Sequence, residues 1–158
     1  EASAPRDWRT ITWRSQGLLQ LGKTAQAAAE LREILPLITP DEFSSSGSSI
    51  SELVFSLRQA GCIPESEALG QRLLERHRPG TYLHGLVLMA LGRTEEALPQ
   101  LVAFPTGTED RLYWSAVFDP VRADPRFLRK IEEFGVAAEY RVARETLTRI
   151  VAGQAGKK

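Results

Sequence analysis

Several residue types that define whole classes of protein are scarce in this chain of 158 residues. The single cysteine, Cys62, excludes an internal disulfide, and the two histidines, His77 and His84, leave too few soft ligands for a metal site. No apolar run approaches the roughly 18 residues of a membrane span, so we expect no membrane association. Without a signal pattern at its start the chain is expected in the cytoplasm. A periplasmic location is the alternative if the parent protein carries a removed signal or anchor.

A charge excess and catalytic motifs are lacking as well. Twenty basic and twenty acidic residues cancel, which argues against a nucleic-acid partner for this segment. The only Gly-Lys pair, at 22–23, lacks the preceding glycine and strand of a phosphate loop, and no serine lies in a strand-turn-helix elbow. We therefore expect a protein that is not an enzyme, with no cofactor, no metal and no catalytic residues.

Helical periodicity is what the chain does contain, most clearly between Tyr82 and Leu101. Apolar residues recur there at offsets of three, four, seven and eight, which predicts one buried helix face. Gly92 then ends this helix, because glycine adopts the left-handed conformation of a helix end without steric cost. A second helix is expected to begin at Thr94 as N-cap and to carry its own apolar face.

The same turn occurs twice upstream, at Gly22 and at Gly61. Leu21-Gly22-Lys23-Thr24-Ala25-Gln26-Ala27 matches Leu91-Gly92-Arg93-Thr94-Glu95-Glu96-Ala97, and Ala60-Gly61-Cys62-Ile63-Pro64-Glu65-Ser66 is a weaker copy. With a small residue five positions after the glycine, Ala27 and Ala97 in two units and Ser66 in the third, these units resemble the tetratricopeptide family of helical hairpin repeats. The distances between the glycines depart from the roughly 34 residues of that repeat.

The resemblance implies an all-α fold, a right-handed α-solenoid of about three antiparallel hairpins within one domain, 1–158. The hairpins are expected at about 6–36, 48–77 and 80–104, followed by a helical C-terminal cap at about 109–152 and a flexible tail at 153–158. The Ser/Pro-rich segment 39–49 is interpreted as a mobile loop.

Two Asp-Pro dipeptides, at 119–120 and 124–125, occur in the region after the last hairpin. The composition changes at Pro105–Thr108, and a short apolar helix is expected over Leu112–Phe118. In each dipeptide the aspartate, Asp119 or Asp124, can cap a helix that begins with the following proline. The run from Phe118 to Phe127 resembles the segment that closes tetratricopeptide arrays in large bacterial signalling proteins.

In the family that this chain resembles, the first helix of each hairpin lines a concave groove that binds a peptide or a partner helix. Carried over by register, the groove residues are Arg9, Thr12, Trp13, Gln16, Ser51, Phe55, Arg58, Tyr82, Leu86 and Met89. The aromatic members would be anchors, with the two arginines orienting a polar or acidic partner. The alternative is that the apolar members only pack against neighbouring helices. The lysine and asparagine pattern that clamps a peptide carboxylate in this family is absent.

The final helix, expected at about 136–152, offers a second candidate surface through Arg141, Arg144 and Arg149. It is either a capping helix that covers the open end of the stack or a basic docking or oligomerisation helix, which would permit a homodimer.

Two functional hypotheses follow. The first is a non-catalytic protein–protein interaction module that binds a peptide or partner helix in the groove. The second is a sensory or regulatory domain of a larger bacterial signalling protein, such as a transcription regulator, cyclase or kinase. It would bind a small ligand or another domain of its own parent chain.

Overall fold

The computed structural model describes residues 7–104 and 114–155, and within those ranges the protein is built from helices without a strand. The α-helices are α1 (Trp8–Gln20), α2 (Thr24–Ile34), α3 (Glu42–Ser45), α4 (Gly47–Gln59), α5 (Ile63–Leu74), α6 (Tyr82–Ala90), α7 (Thr94–Val102), α8 (Pro125–Glu133) and α9 (Ala137–Ala155). Short 3-10 helices occupy Leu35–Leu37 and Ala116–Val121. The all-α class expected from the sequence is confirmed.

The three turn glycines end α1, α4 and α6 in the same way. Gly22, Gly61 and Gly92 have φ values of 72°, 77° and 78°, the left-handed conformation that a side chain would oppose. At each turn the amide after the glycine bonds a carbonyl five residues back, as in the 2.9 Å bond from Arg93 N to Leu88 O. These bonds satisfy carbonyls that the helix end leaves free, and they confirm the predicted turns.

Helix α4 lies at the centre of the packing. It contacts α5, the next helix in the chain, and also α1, α2 and α6. Its inner stripe of Ile50, Leu53, Val54 and Leu57 is fully buried, as its helical spacing predicted. Helix α1 packs on α2 and α6 packs on α7, so each helix that ends at a turn glycine contacts the one that follows it.

The segment 39–49 is not the continuous loop that its serines suggested. Residues Glu42–Ser45 form α3, and α4 begins at Gly47. Phe43 explains the difference, because its side chain is only 1% exposed and the Arg72 guanidinium lies 4.4 Å from the centre of its ring. Burial of one aromatic ring thus outweighs the turn preference of the serines around it.

Two of the three predicted helix caps differ from expectation. Thr94 is the first residue of α7, and the preceding Arg93 makes no side-chain capping bond. Asp119 lies inside the second 3-10 helix, and the cap there is Ser115, whose hydroxyl accepts from Val117 N at 3.4 Å. Asp124 does cap α8, accepting from Arg126 N at 2.8 Å, and Pro125 opens that helix as predicted.

The C-terminal helices extend the packed body. Helix α8 contacts α7 and α9 contacts α8. Helix α9 continues through Ala155, so the first residues of the expected tail are helical. The proposed boundary at 105–108 and the start of the helix expected at Leu112 lie outside the described residues. No helix in the described part of the chain is long and apolar enough to cross a membrane.

Candidate interaction cleft

Polar side chains join α1 to α4 along the surface that these helices share. Successive positions on one face of α1 each bond a residue in or just before α4. The bonds run from Arg9 Nη2 to Ser46 Oγ (2.5 Å), from Trp13 Nε1 to Glu52 Oε2 (3.1 Å) and from Gln16 Nε2 to Ser56 Oγ (3.2 Å). This row of bonds fixes α1 against α4. We call it the α1–α4 seam.

The 3-10 helix Ala116–Val121 covers part of the neighbouring surface. It contacts α4 and α6, and its own side chains of Val117, Phe118 and Val121 are buried. Ser115, which precedes it, donates a 2.9 Å hydrogen bond to Glu52 Oε1. The chain's own 3-10 helix therefore covers a surface of α4 and α6 that the sequence predicted to bind a partner.

A cleft of about 160 Å³ remains between α1, α4 and this 3-10 helix. Its apolar lining comes from Leu19, Phe55, Ala116 and Pro120, and its polar lining from Gln16, Gln20, Gln59 and Asp119. A cavity of this volume accommodates one aromatic ring or a side chain of similar size.

Three of the four polar groups at this cleft are glutamine amides, and two of these have no partner within the described chain. Within the described part of the chain, the side chains of Gln20 and Gln59 make no hydrogen bond. Asp119 accepts from Arg122 Nε at 2.5 Å, and Arg144 lies 3.8 Å from the same oxygen. A glutamine amide offers both a donor and an acceptor, as a peptide bond does. The cleft thus combines an apolar floor with free amides at its rim.

Glu52 and Trp13 lie beside the cleft, on the α1–α4 seam. The two carboxylate oxygens of Glu52 accept from the Trp13 indole N–H and the Ser115 hydroxyl, which are both neutral donors. The Trp13 side chain remains 58% exposed, although tryptophan normally buries most of its surface. An exposed aromatic ring therefore stands next to a half-buried carboxylate.

The structure separates the ten predicted groove residues by burial. Six are buried, namely Thr12, Ser51, Phe55, Tyr82, Leu86 and Met89. The Thr12 hydroxyl donates to Trp8 O and the Ser51 hydroxyl to Gly47 O, so each polar group is satisfied inside its own helix. Tyr82 packs edge-on against Phe104 at 5.5 Å. Of the six, only Phe55 reaches the cleft, where it forms the floor.

The remaining four predicted residues lie at or near the surface. Trp13 and Gln16 belong to the α1–α4 seam, and Gln16 also lines the cleft. Arg9 lies 3.4 Å from Glu42 Oε1, and Arg58 lies 2.8 Å from Glu67 Oε1. Both guanidinium groups are thus engaged within the chain, which weakens the expectation that they would orient an acidic partner.

The basic residues of α9 lie along a second, larger cleft. A cavity of about 530 Å³ separates α8 from α9, with an apolar lining that includes Leu128, Ile131 and Tyr140. Arg122, Arg141, Arg144, Glu132 and Glu145 line it as well. Arg122 is held by the Tyr140 hydroxyl at 2.7 Å. Arg149 lies five residues beyond Arg144 on α9, and both line a neighbouring shallow groove. Since Glu132 and Glu145 line the cleft together with the arginines, this surface is less basic than the arginines of α9 alone suggested.

The two histidines do not form a metal site. His84 Nδ1 lies 2.9 Å from Gln100 Oε1, whereas His77 Nε2 is buried near Gly47 and has no partner in the described chain. Burial lowers the pKa of His77, and His84 and Arg76 lower it further. Residues 7–104 and 114–155 contain no group of three side chains that could hold a metal ion. Cys62 is buried beside its turn glycine, and burial raises the pKa of its thiol.

Sequence reasoning missed Gln20, Glu52, Gln59 and Ser115. Gln20 continues the register of Arg9, Trp13 and Gln16 by one more turn, and Gln59 follows Phe55 by four residues. Extending the helical register by one turn would have found both. Ser115 had no such signal, because its bond to Glu52 joins residues 63 positions apart.

Comparisons of the chain with protein-family models, with curated proteins and with solved structures found no match.

Proposed function

We propose that this chain is a tetratricopeptide-like α-solenoid and acts as a non-catalytic protein–protein interaction module. The three hairpins would lie at about 6–36, 48–77 and 80–104 and stack with a right-handed twist, closed by the helices after residue 114. Support comes from the same hydrogen-bonded glycine turn at three places and from the packing of α1 on α2, of α4 on α5 and of α6 on α7.

The proposed binding site is the cleft between α1, α4 and the 3-10 helix Ala116–Val121. One observation carries this choice: the apolar floor at Phe55 is bordered by the unpartnered amides of Gln20 and Gln59, with exposed Trp13 nearby. An extended peptide has an N–H and a C=O at each residue, and glutamine amides can bond both. One apolar side chain of the peptide would fill the 160 Å³ of the cleft.

Site-specific photo-crosslinking tests this assignment. Peptides are selected from a random dodecamer display library on the full chain, and each is crosslinked to protein carrying benzoylphenylalanine at position 20. The control carries the same group at position 29, where Ala29 is exposed on α2. We expect crosslinks from position 20 and none from position 29. Equal crosslinking from both positions, or from neither, would contradict the assignment.

A small-ligand or effector-domain site in a larger bacterial signalling protein is the second candidate. Its support is the 530 Å³ cleft between α8 and α9, which has the volume of typical small-molecule sites and a mixed apolar and charged lining. A fragment screen followed by amide chemical-shift mapping tests it. Fragments that shift the amide signals of Leu128 and Ile131 but leave those of Gln20 and Gln59 unchanged would favour this candidate over the peptide module.

A further inference from the structure

Glu52 is an anion that receives no cation from the described chain. Its carboxylate accepts from Trp13 Nε1 at 3.1 Å and from Ser115 Oγ at 2.9 Å. Within residues 7–104 and 114–155, no arginine, lysine or histidine forms an ion pair with it. This half-buried carboxylate is therefore bonded by two neutral donors and by no basic side chain of the described chain.

The two arginines that the sequence predicted in the groove, Arg9 and Arg58, make contacts elsewhere. Arg9 is stacked at 4.4 Å from the centre of the Trp8 ring and pairs with Glu42, and Arg58 pairs with Glu67. Neither is free to swing onto Glu52 without breaking these contacts. A cation for Glu52 would therefore have to come from outside the described residues.

Trp13 provides the second half of a cation site. Its indole N–H donates to Glu52 from the edge of the ring, while the side chain remains 58% exposed. The electron-rich face of an indole attracts guanidinium and ammonium groups, and tryptophan does so more strongly than tyrosine or phenylalanine. A cation stacked on Trp13 would be next to the carboxylate that the ring already contacts.

We propose that Glu52 and Trp13 bind a lysine or arginine side chain of the partner peptide, two residues away from the apolar side chain that enters the cleft. The inference rests on the proposed peptide-binding function and adds the chemistry of the peptide: a basic residue, any residue, then an apolar residue, in one chain direction or the other. It replaces the polar or acidic partner expected from the sequence with a basic one.

The spacing follows from helix and strand geometry. A helix rises about 1.5 Å per residue, so Glu52 lies about 5 Å along α4 from Phe55 and about 10 Å from Gln59. Residues i and i+2 of an extended peptide are about 6.6 Å apart and point to the same side. Side chains two positions apart therefore match the distance from the carboxylate to the cleft, whereas adjacent side chains point to opposite sides.

Three synthetic peptides, each also made with its sequence reversed, test the charge preference in both chain directions. The first is acetyl-Gly-Ser-Lys-Ser-Leu-Ser-Gly-amide, and the other two carry serine or glutamate in place of the lysine. Binding to the full chain is followed by the indole N–H signal of Trp13 in ¹⁵N-correlated spectra, assigned with Trp13→Phe. An exposed ion pair and a cation–π contact together predict that the lysine peptide binds about five- to tenfold more tightly than the serine peptide. The glutamate peptide should bind most weakly.

A matched pair of variants assigns the preference to Glu52. Glu52→Gln removes the charge but keeps an oxygen acceptor, so we expect lysine and serine peptides to bind it equally. Glu139→Gln makes the same change in net charge at an exposed position on α9 and should keep the preference. A fourth peptide with two serines between lysine and leucine turns the two side chains to opposite sides and should lose the advantage.

The outcomes separate this inference from the proposed function. If lysine and serine peptides bind wild-type protein equally and both shift the Gln20 and Gln59 side-chain signals, the cleft binds peptides but the cation site is refuted. If no peptide binds, both proposals fail. If Glu52→Gln unfolds in a thermal melt, the wild-type protein still tests the cation site through salt. Because salt screens an ion pair, 0.5 M KCl should remove most of the tighter binding of the lysine peptide and leave the affinity of the serine peptide unchanged.

Discussion

Replacement of Gly92 by alanine is the most direct perturbation of the turns that define this fold. Gly92 has φ +78°, a conformation in which an L side chain costs about 1–2 kcal/mol. A Cβ atom there would also lie 3.1 Å from Arg58 Nε. Because this contact is with the end of a flexible side chain, it adds little. We expect Gly92→Ala to lower the free energy of unfolding by about 1–2 kcal/mol, and valine to cost more.

Two other glycines serve as matched controls. Gly22 has φ +72° and nothing within 4 Å of an added Cβ, so Gly22→Ala measures the conformational cost alone. Gly17 lies within α1 with open space around it and ordinary helical backbone, so alanine there should stabilise the fold by up to about 1 kcal/mol.

Urea unfolding at 25 °C, followed by circular dichroism at 222 nm, gives the three free energies. Thermal melts should shift by about 2–8 °C in the same directions. If Gly92→Ala and Gly17→Ala changed stability in the same direction, the turn at Gly92 would not depend on a left-handed residue.

Two further predictions concern the core and the response to acid. Gly70→Ala places a Cβ atom 2.6 Å from Leu91 Cδ2, so thermal melts should show overpacking at a cost of about 1–3 kcal/mol, and Leu91→Ala in the same chain should relieve part of it. His77 is held neutral by burial, with His84 and Arg76 adding to the lowering of its pKa below the ordinary 6.5. As the pH falls, His77 therefore takes up a proton in the unfolded chain before it does so in the folded one. The free energy of unfolding should thus decrease as the pH drops from about 6.5 through the folded-state pKa. His77→Gln should flatten that part of a urea-unfolding series from pH 7.5 to 5, and an unchanged slope would contradict the assignment to His77.

The turns and the buried helix faces were predictable because both depend on local rules. A glycine at a helix end and an apolar stripe of period 3.6 are visible within a dozen residues, which is why Gly22, Gly61 and Gly92 and the stripe of α4 were found. The loop predicted for segment 39–49 was wrong because Phe43, its one aromatic residue, packs against Arg72 on α5, which lies far outside the segment in sequence.

The candidate site was less predictable, because it is made by contacts between distant segments. Thr12 and Ser51 were assigned to the groove by the register carried over from the family resemblance, yet each hydroxyl bonds a carbonyl of its own helix and is buried. Glu52 belongs to the candidate site because it accepts hydrogen bonds from Trp13 and Ser115, which lie 39 and 63 positions away in the sequence. No spacing rule within one helix indicates such bonds.

One titration tests the central claim, that the cleft between α1 and α4 binds an extended peptide. The side-chain amide signals of Gln16, Gln20 and Gln59 are followed in ¹⁵N-correlated spectra while a library-selected peptide is added to the full chain. The account predicts that these signals and the Trp13 indole signal shift together, with one dissociation constant. Shifts confined to α8 and α9, around Leu128, Ile131 and Arg141, would contradict it and transfer the binding function to the second cleft.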